Sequence, residues 1–362
     1  MRSSLVLLLA GLAVRGQEDP CDTNILDLRY DDSNPSSNWT FSLGPITEVP
    51  NTPNVPTYPW FPDGHIAVLP RCDGSEDWMM FWSEFENYRS IGASQFPEDQ
   101  AFLSPSEGVF GGRGDWEGFD NGGSWLMSVH RVGGGGVEVE KGEQLIGFYH
   151  AEDHWYPLND EGIAWKSCGV THSYDNGASW TAGEQIVTSD DPKPDAPEWG
   201  GEGDNCVVWD WKNGRWAMFF QHSSLRVAVS EEPGGHVGTW YKYHEGAFQE
   251  PGIRGRSTPL AGLPGGANPS VHWNTHLQKW VMVYAGWSPA DILITASEDL
   301  VHWEPARTVA SSSVGGNAWY VTIIGEDDKV AGESARIYYA DIQPDFSSRQ
   351  FVSRDITFTR YD

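Results

Sequence analysis

The sequence predicts an all-β fold, a five-bladed β-propeller with four-stranded blades. Three observations carry the prediction: a strand-forming composition, an aromatic strand that recurs five times, and a Ser–turn–Trp element that recurs in step with it. The 362 residues include 19 Trp, 41 Gly and 23 Pro. Aromatic side chains suit a pleated, half-buried surface, while Gly and Pro punctuate short strands. Runs of ten or more residues with a 3.6-residue apolar period are hard to find, so helices drop out of the prediction.

The recurring strand follows a polar turn and is rich in Trp, Met and other apolar residues. It begins near Trp78, Leu145, Trp216, Trp280 and Ile337, at steps of 67, 71, 64 and 57 residues. Each step has room for four strands of five or six residues with their loops, which is one propeller blade. The second element is Ser173-Tyr174-Asp175-Asn176-Gly177-Ala178-Ser179-Trp180, followed by Ser230 to Trp240 and Ser297 to Trp303. Asp175 can accept backbone N–H bonds within the turn, Gly177 permits a positive φ, and Trp180 is expected between neighbouring sheets. Closing five blades into a ring removes long unpaired edges. The last strand, near Phe351 to Thr359, is expected to pair with N-terminal residues.

Residues 1–16 read as a signal peptide: Arg2, an apolar run from Leu5 to Val14, and small residues Val14 and Gly16 before the expected cut. That run is shorter than the roughly 20 residues a bilayer span needs. Residues 17–60 hold Pro20, Pro35, Pro45, Pro50, Pro53, Pro56 and Pro59, so an extended arm packed on the propeller is expected there. Residues 61–362 are then one propeller domain. A formal charge of −28 repels phosphate backbones and anionic lipid, which excludes nucleic acid and membrane as partners. Cys21, Cys72, Cys168 and Cys206 form an even set in an exported chain, with three possible pairings. Sequence proximity favours Cys21–Cys72 and Cys168–Cys206. Asn38-Trp39-Thr40 is a glycosylation sequon. A secreted, extracellular monomer is expected.

In a propeller the innermost strands run along the axis, so residues where those strands start converge at one mouth. Reading that position in each unit gives Trp60, Asp63 and His65, then Trp116 and Asp120, then Trp199, Glu202 and Asp204. The fourth unit supplies Asn268 and the fifth Asn317 and Trp319. Converging carboxylates are what glycoside cleavage requires: one protonates the leaving oxygen while another activates water or attacks the anomeric carbon. Their proximity would raise one pKa and prepare a general acid. The Trp residues offer flat faces for sugar stacking, and Arg113 can pair with the axial carboxylates. Strand alternation puts His150 and Glu152 on one face, where they can grip sugar hydroxyls, a metal or simply each other. No cofactor or metal ligand set is predicted. A structural calcium is compatible with an acidic axial pore without being indicated.

The stretch from Ser173 to Trp180 resembles the Asp box of sialidase-type propellers, a structural turn on the blade's outer edge. The order Asp63, Asp120, Glu202 over the first three blades is similar to that in five-bladed furanosidase-type hydrolases such as the family 43 arabinanases and xylosidases. That resemblance implies base, pKa-modulating and general-acid roles respectively, with Glu202-Gly203 matching the acid motif and the residues flanking the two Asp matching poorly. Over Leu145 to Glu152, Ser173 to Trp180, and Asn268 to Trp303 the chain looks closer to a former domain-of-unknown-function family that includes endo-D-arabinanases, glycoside hydrolase family 183. The expectation is a secreted glycoside hydrolase cleaving a cell-wall polysaccharide, such as an arabinan or other furanoside. The alternative is a carbohydrate-binding propeller without catalysis. The confinement of the acids to three blades favours the enzyme.

Overall fold

The structure is a computed structural model that describes residues 21, 24–49, 62–83, 86–102, 108–111, 118–133, 145–156, 162–287 and 290–361. The segment read as a signal peptide, together with Trp60, Arg113 and Trp116, lies outside them. Five antiparallel sheets form the blades of a ring, each with one short extra strand. From the axis outward, blade 1 is Ala67–Pro70, Trp78–Ser83, Glu86–Gly92 and Gln100–Phe102. Blade 2 is Gly123–Arg131, Leu145–Asp153, Trp165–Ser173 and Glu184–Thr188. Blade 3 is Gly203–Asp210, Arg215–His222, Ser224–Ser230 and Trp240–His244. Blade 4 is Gly266–Asn274, Lys279–Gly286, Ile292–Ser297 and Arg307–Ala310. Blade 5 is Asn317–Ile324, Ser334–Ile342, Arg349–Tyr361 and Asn38–Leu43. The five aromatic strands that set the repeat are the second strand of every blade.

The apolar core lies between blades rather than at the axis. Val68, Met80, Ile324 and Tyr338 join blades 5 and 1, whereas Ala67, Phe81, Leu126 and Tyr149 join blades 1 and 2. One edge-to-face aromatic contact recurs at these seams. Trp180 meets Phe81 at 79°, Trp240 meets Phe148 at 86° and Trp303 meets Phe219 at 82°. Each Trp ends a Ser–turn–Trp element, and each Phe sits in the second strand of the preceding blade. The turns hold as their residues require. Asp175 accepts the Ser179 N–H at 2.8 Å, Ser173 Oγ accepts the Gly177 N–H at 2.8 Å, and Gly177 has φ +78°.

The ring closes through the N-terminal segment. Asn38–Leu43 pairs antiparallel with Ile356–Tyr361, supplying the outer strand of blade 5. Just before it, Ile25, Leu28 and Tyr30 cross the mouth where the inner strands end, over Trp209, Trp211, Trp273 and Trp280. Only a cavity of about 80 Å³ remains there. The Cys21–Cys72 disulfide ties this segment to blade 1, and Lys212 pairs with Asp32 at 2.9 Å.

The second predicted disulfide is absent: Cys168 and Cys206 are both buried free thiols. Cys168 sits in the third strand of blade 2, with its sulfur 3.9 Å from the Glu202 carbonyl. Cys206 sits in the inner strand of blade 3 and accepts the Val271 N–H of blade 4 at 3.3 Å. Their sulfurs serve different seams, a separation that proximity in sequence does not reveal. Burial pushes Cys206 up to about 12 and Cys168 further, so both stay thiols.

Candidate active site

With one mouth of the ring covered by the N-terminal segment, the mouth where the inner strands start is the open one. Second strands run antiparallel to inner ones, so their ends arrive at the same mouth. There Trp199, Trp287 and Phe346 are 58 %, 46 % and 43 % exposed. Trp319 is half-buried beside Phe346, with ring centroids 5.8 Å apart. Trp155 and Tyr156 follow the second strand of blade 2, above a cleft of about 440 Å³ lined also by Asn121, Asp153, His154 and Lys193.

Asp63 stands at this mouth, before the inner strand of blade 1. Its Oδ1 accepts from Arg349 Nη1 at 2.8 Å, and the same guanidinium nitrogen donates to the Pro62 carbonyl at 2.8 Å. Arg349 lies 4.8 Å above the ring of Tyr320, whose hydroxyl bonds to Asp63. Burial, and then the charge of Asp63, drive the Tyr320 hydroxyl well above its ordinary value, with Asp204 adding to the effect. Asp204, from blade 3, is therefore within electrostatic reach of this cluster. Neither Arg349 nor Tyr320 was singled out from the sequence. Arg349 belongs to the third strand of blade 5, and only closure of the ring brings it to Asp63.

The blade 2–blade 3 seam supplies a second polar row. Glu152 accepts from His150 Nε2 at 3.3 Å and from His154 Nε2 at 3.0 Å, so the two residues expected on one face do meet. His154 completes the row and is a residue the sequence reading missed. Burial works against ionisation of Glu152, but the two imidazoles outweigh it and hold the carboxyl at about 2. His150 Nδ1 accepts the Asp204 N–H at 3.0 Å, which fixes its proton on Nε2, and Trp125 packs on the imidazole at 5.2 Å. Lys166 bonds Gln221 Oε1 at 2.8 Å and lies 3.7 Å from Asp204.

The carboxylates expected to act together occupy three settings. Asp63 is at the mouth. Asp120 is buried in the seam between blades 1 and 2, accepting from the Tyr149 hydroxyl at 3.2 Å. Glu202 is 1 % exposed and ion-paired at 2.6 Å with Lys242, itself fully buried, while Ser257 Oγ donates to its other oxygen at 3.2 Å. Burial pushes the Glu202 carboxyl above its usual range against the pull of Lys242 and Arg226. Of the other predicted residues, Asp204 and Trp319 are at the mouth, joined by Asn268 and Asn317 at the starts of their strands. His65 is deeper, 3 % exposed and 3.5 Å from Asp328, in a polar layer on the axis that holds His130 and His272 as well. Among the described residues, no group of three or more His, Cys, Asp or Glu side chains has a metal-binding arrangement.

Solved structures of the same shape include one described as a glycoside hydrolase, at 14 % identity and a TM-score of 0.51, covering 91 % of this chain and 93 % of that one. Another is a family 117 glycoside hydrolase from the marine bacterium Zobellia galactanivorans, at 9 % identity and a TM-score of 0.51, covering 90 % of this chain and 92 % of that one. At these identities the likeness establishes the fold, the five-bladed propeller found among glycoside hydrolases. No protein-family model matches the chain, and no curated protein matches it in sequence.

Proposed function

We propose that the protein is a secreted glycoside hydrolase that cleaves a polysaccharide or oligosaccharide at the open mouth of the propeller. The observation that carries this is the rim of exposed aromatics, Trp199, Trp287 and Phe346, around a mouth set with carboxylates on fixed partners. Flat aromatic faces stack on sugar rings. In this reading Asp63 is the base or nucleophile, held and aimed by Arg349 and Tyr320, and Asp204 is its partner acid on blade 3. The Glu152 row, with its carboxylate ionised at any working pH, orients His150 and through it the Asp204 backbone. Glu202 and Lys242 hold the segment before Asp204 in place, and the raised Glu202 carboxyl could protonate a leaving group only by leaving Lys242. The two solved propellers described as glycoside hydrolases agree with this reading, and the Cys21–Cys72 disulfide agrees with export to an oxidising compartment.

The test is reducing-end release from a panel of wall polysaccharides, arabinans and other furanosides first. Asp63→Asn and Asp204→Asn are expected to lower kcat by about 10³-fold, as loss of acid–base catalysis does, with melting temperature retained. Turnover that survives both substitutions overturns the assignment. Binding without any release supports the carbohydrate-binding alternative.

A further inference from the structure

Three non-glycine residues at the mouth share one unusual backbone conformation. Asp204 has φ +47°, Asn268 +50° and Tyr320 +56°. Each is the first of two residues that interrupt the pairing of an inner strand with its neighbour, between Gly203 and Cys206, Ala267 and Ser270, and Trp319 and Thr322. They are equivalent positions in blades 3, 4 and 5. Such bulges re-aim side chains and are over-represented beside active sites. Glycine would adopt this conformation without strain, and it is plentiful in these same loops. A Tyr there is a genuine outlier and an Asp or Asn a tolerated one. The backbone asks for glycine at all three positions and none has it, so the side chains themselves are what the positions supply.

We propose that Asp204, Asn268 and Tyr320 form a collar that reads the hydroxyls of a neutral sugar ring, which rests on the saccharide reading of this mouth given above. The chemistry fits that class. Asp204 accepts from vicinal hydroxyls, Asn268 both donates and accepts, and the Tyr320 oxygen accepts while its proton serves Asp63. The charges point to a neutral ring rather than a uronate or sulfated one. Among the described residues, Arg349 is committed to Asp63 and Pro62, and Lys166 to Gln221 and Asp204, so these two cations of the mouth are matched within the protein. An anionic ring would meet Asp63 and Asp204 with neither of these cations set aside for it.

Calorimetric titration of the full chain with neutral arabino-, xylo- and galacto-oligosaccharides, and with an acidic oligogalacturonide, tests the collar. Binding to a neutral series is expected. Asn268→Gly, Asp204→Gly and Tyr320→Phe should each weaken it at least about tenfold, the scale of one lost hydrogen bond to substrate. Asn268→Gly should melt at the wild-type temperature or above, because glycine relieves the backbone strain. Unchanged affinity in the glycine variants, a lower melting temperature for Asn268→Gly, preference for the oligogalacturonide, or no binding to any neutral series would each overturn the collar. Neutral binding without turnover removes the hydrolase and keeps the collar. Turnover that persists with unaltered KM in Asn268→Gly, the one variant outside the catalytic residues, keeps the hydrolase and removes the collar.

Discussion

Lys242 and Glu202 form an ion pair that is wholly buried beneath the mouth. Both are taken out of water, and Lys242 also donates to the Thr188 and Gly255 carbonyls, so its three protons are used. Removing one member of a buried pair leaves the other uncompensated, which costs about 3–5 kcal/mol. Lys242→Met is therefore expected to destabilise the fold by that amount in urea unfolding. Adding Glu202→Gln should recover much of the loss, since a neutral amide is far cheaper to bury. An additive double mutant would mean that the pair is not coupled. The same residues mark the limit of the sequence reading. Glu202 was legible as an acidic residue at a strand start, but its partner is 40 positions on, in the fourth strand of the blade. Nothing in local pattern links them.

Strands and turns were read more securely, because their signals are local. The five second strands announce themselves by composition, and the Asp175 turn by four residues at fixed spacing. Blade 4 repeats that turn with Asp299 accepting the His302 N–H at 2.8 Å, whereas blade 3 uses Ser230 and Thr239 hydroxyls 2.8 Å apart. The element survives such variation because its function is to deliver a Trp to the neighbouring blade. Asp175→Ala removes bonds to the Ser179 backbone and hydroxyl and to Ser173. A loss of about 1–3 kcal/mol in unfolding free energy is expected, with saccharide affinity unchanged, since the turn lies away from the open mouth. The inner-strand bulges left no such signature: Asn268 and Trp319 were read as mouth residues, but the interrupted pairing at Asn268-Pro269 and Tyr320-Val321 appears only in the register.

The whole ring carries its polar residues on the axis and its apolar ones between blades, and this sets its response to acid. Burial pushes both His130 and His272 down to about 3. An unfolded chain takes up these protons near the ordinary value of about 6.5, so protonation favours unfolding throughout the interval between. Stability is expected to be complete above about pH 6.5 and to fall steadily as pH drops toward 3. Burial also raises the Asp327 carboxyl to about 6, which opposes the histidines in this range. Urea midpoints at pH 7.0 and 5.5 are therefore compared in an Asp327→Asn background; equal midpoints there would show that the histidines reach water. Of the molecule's larger features, the ring and its N-terminal closure were legible in the repeat. That Cys168 and Cys206 stay unpaired was not, since each lies in a different seam.

That closure has a consequence for how the chain is made. Asn38–Leu43 leaves the ribosome early, and its partner Ile356–Tyr361 leaves more than 300 residues later. Until then the nascent protein carries two unsatisfied strand edges, and an edge of that kind can be filled by another chain. Folding therefore becomes a race between completing translation and meeting a neighbour. A permuted chain starting at blade 1, with Asn38–Leu43 joined after Tyr361, would turn this long-range strand pairing into a hairpin.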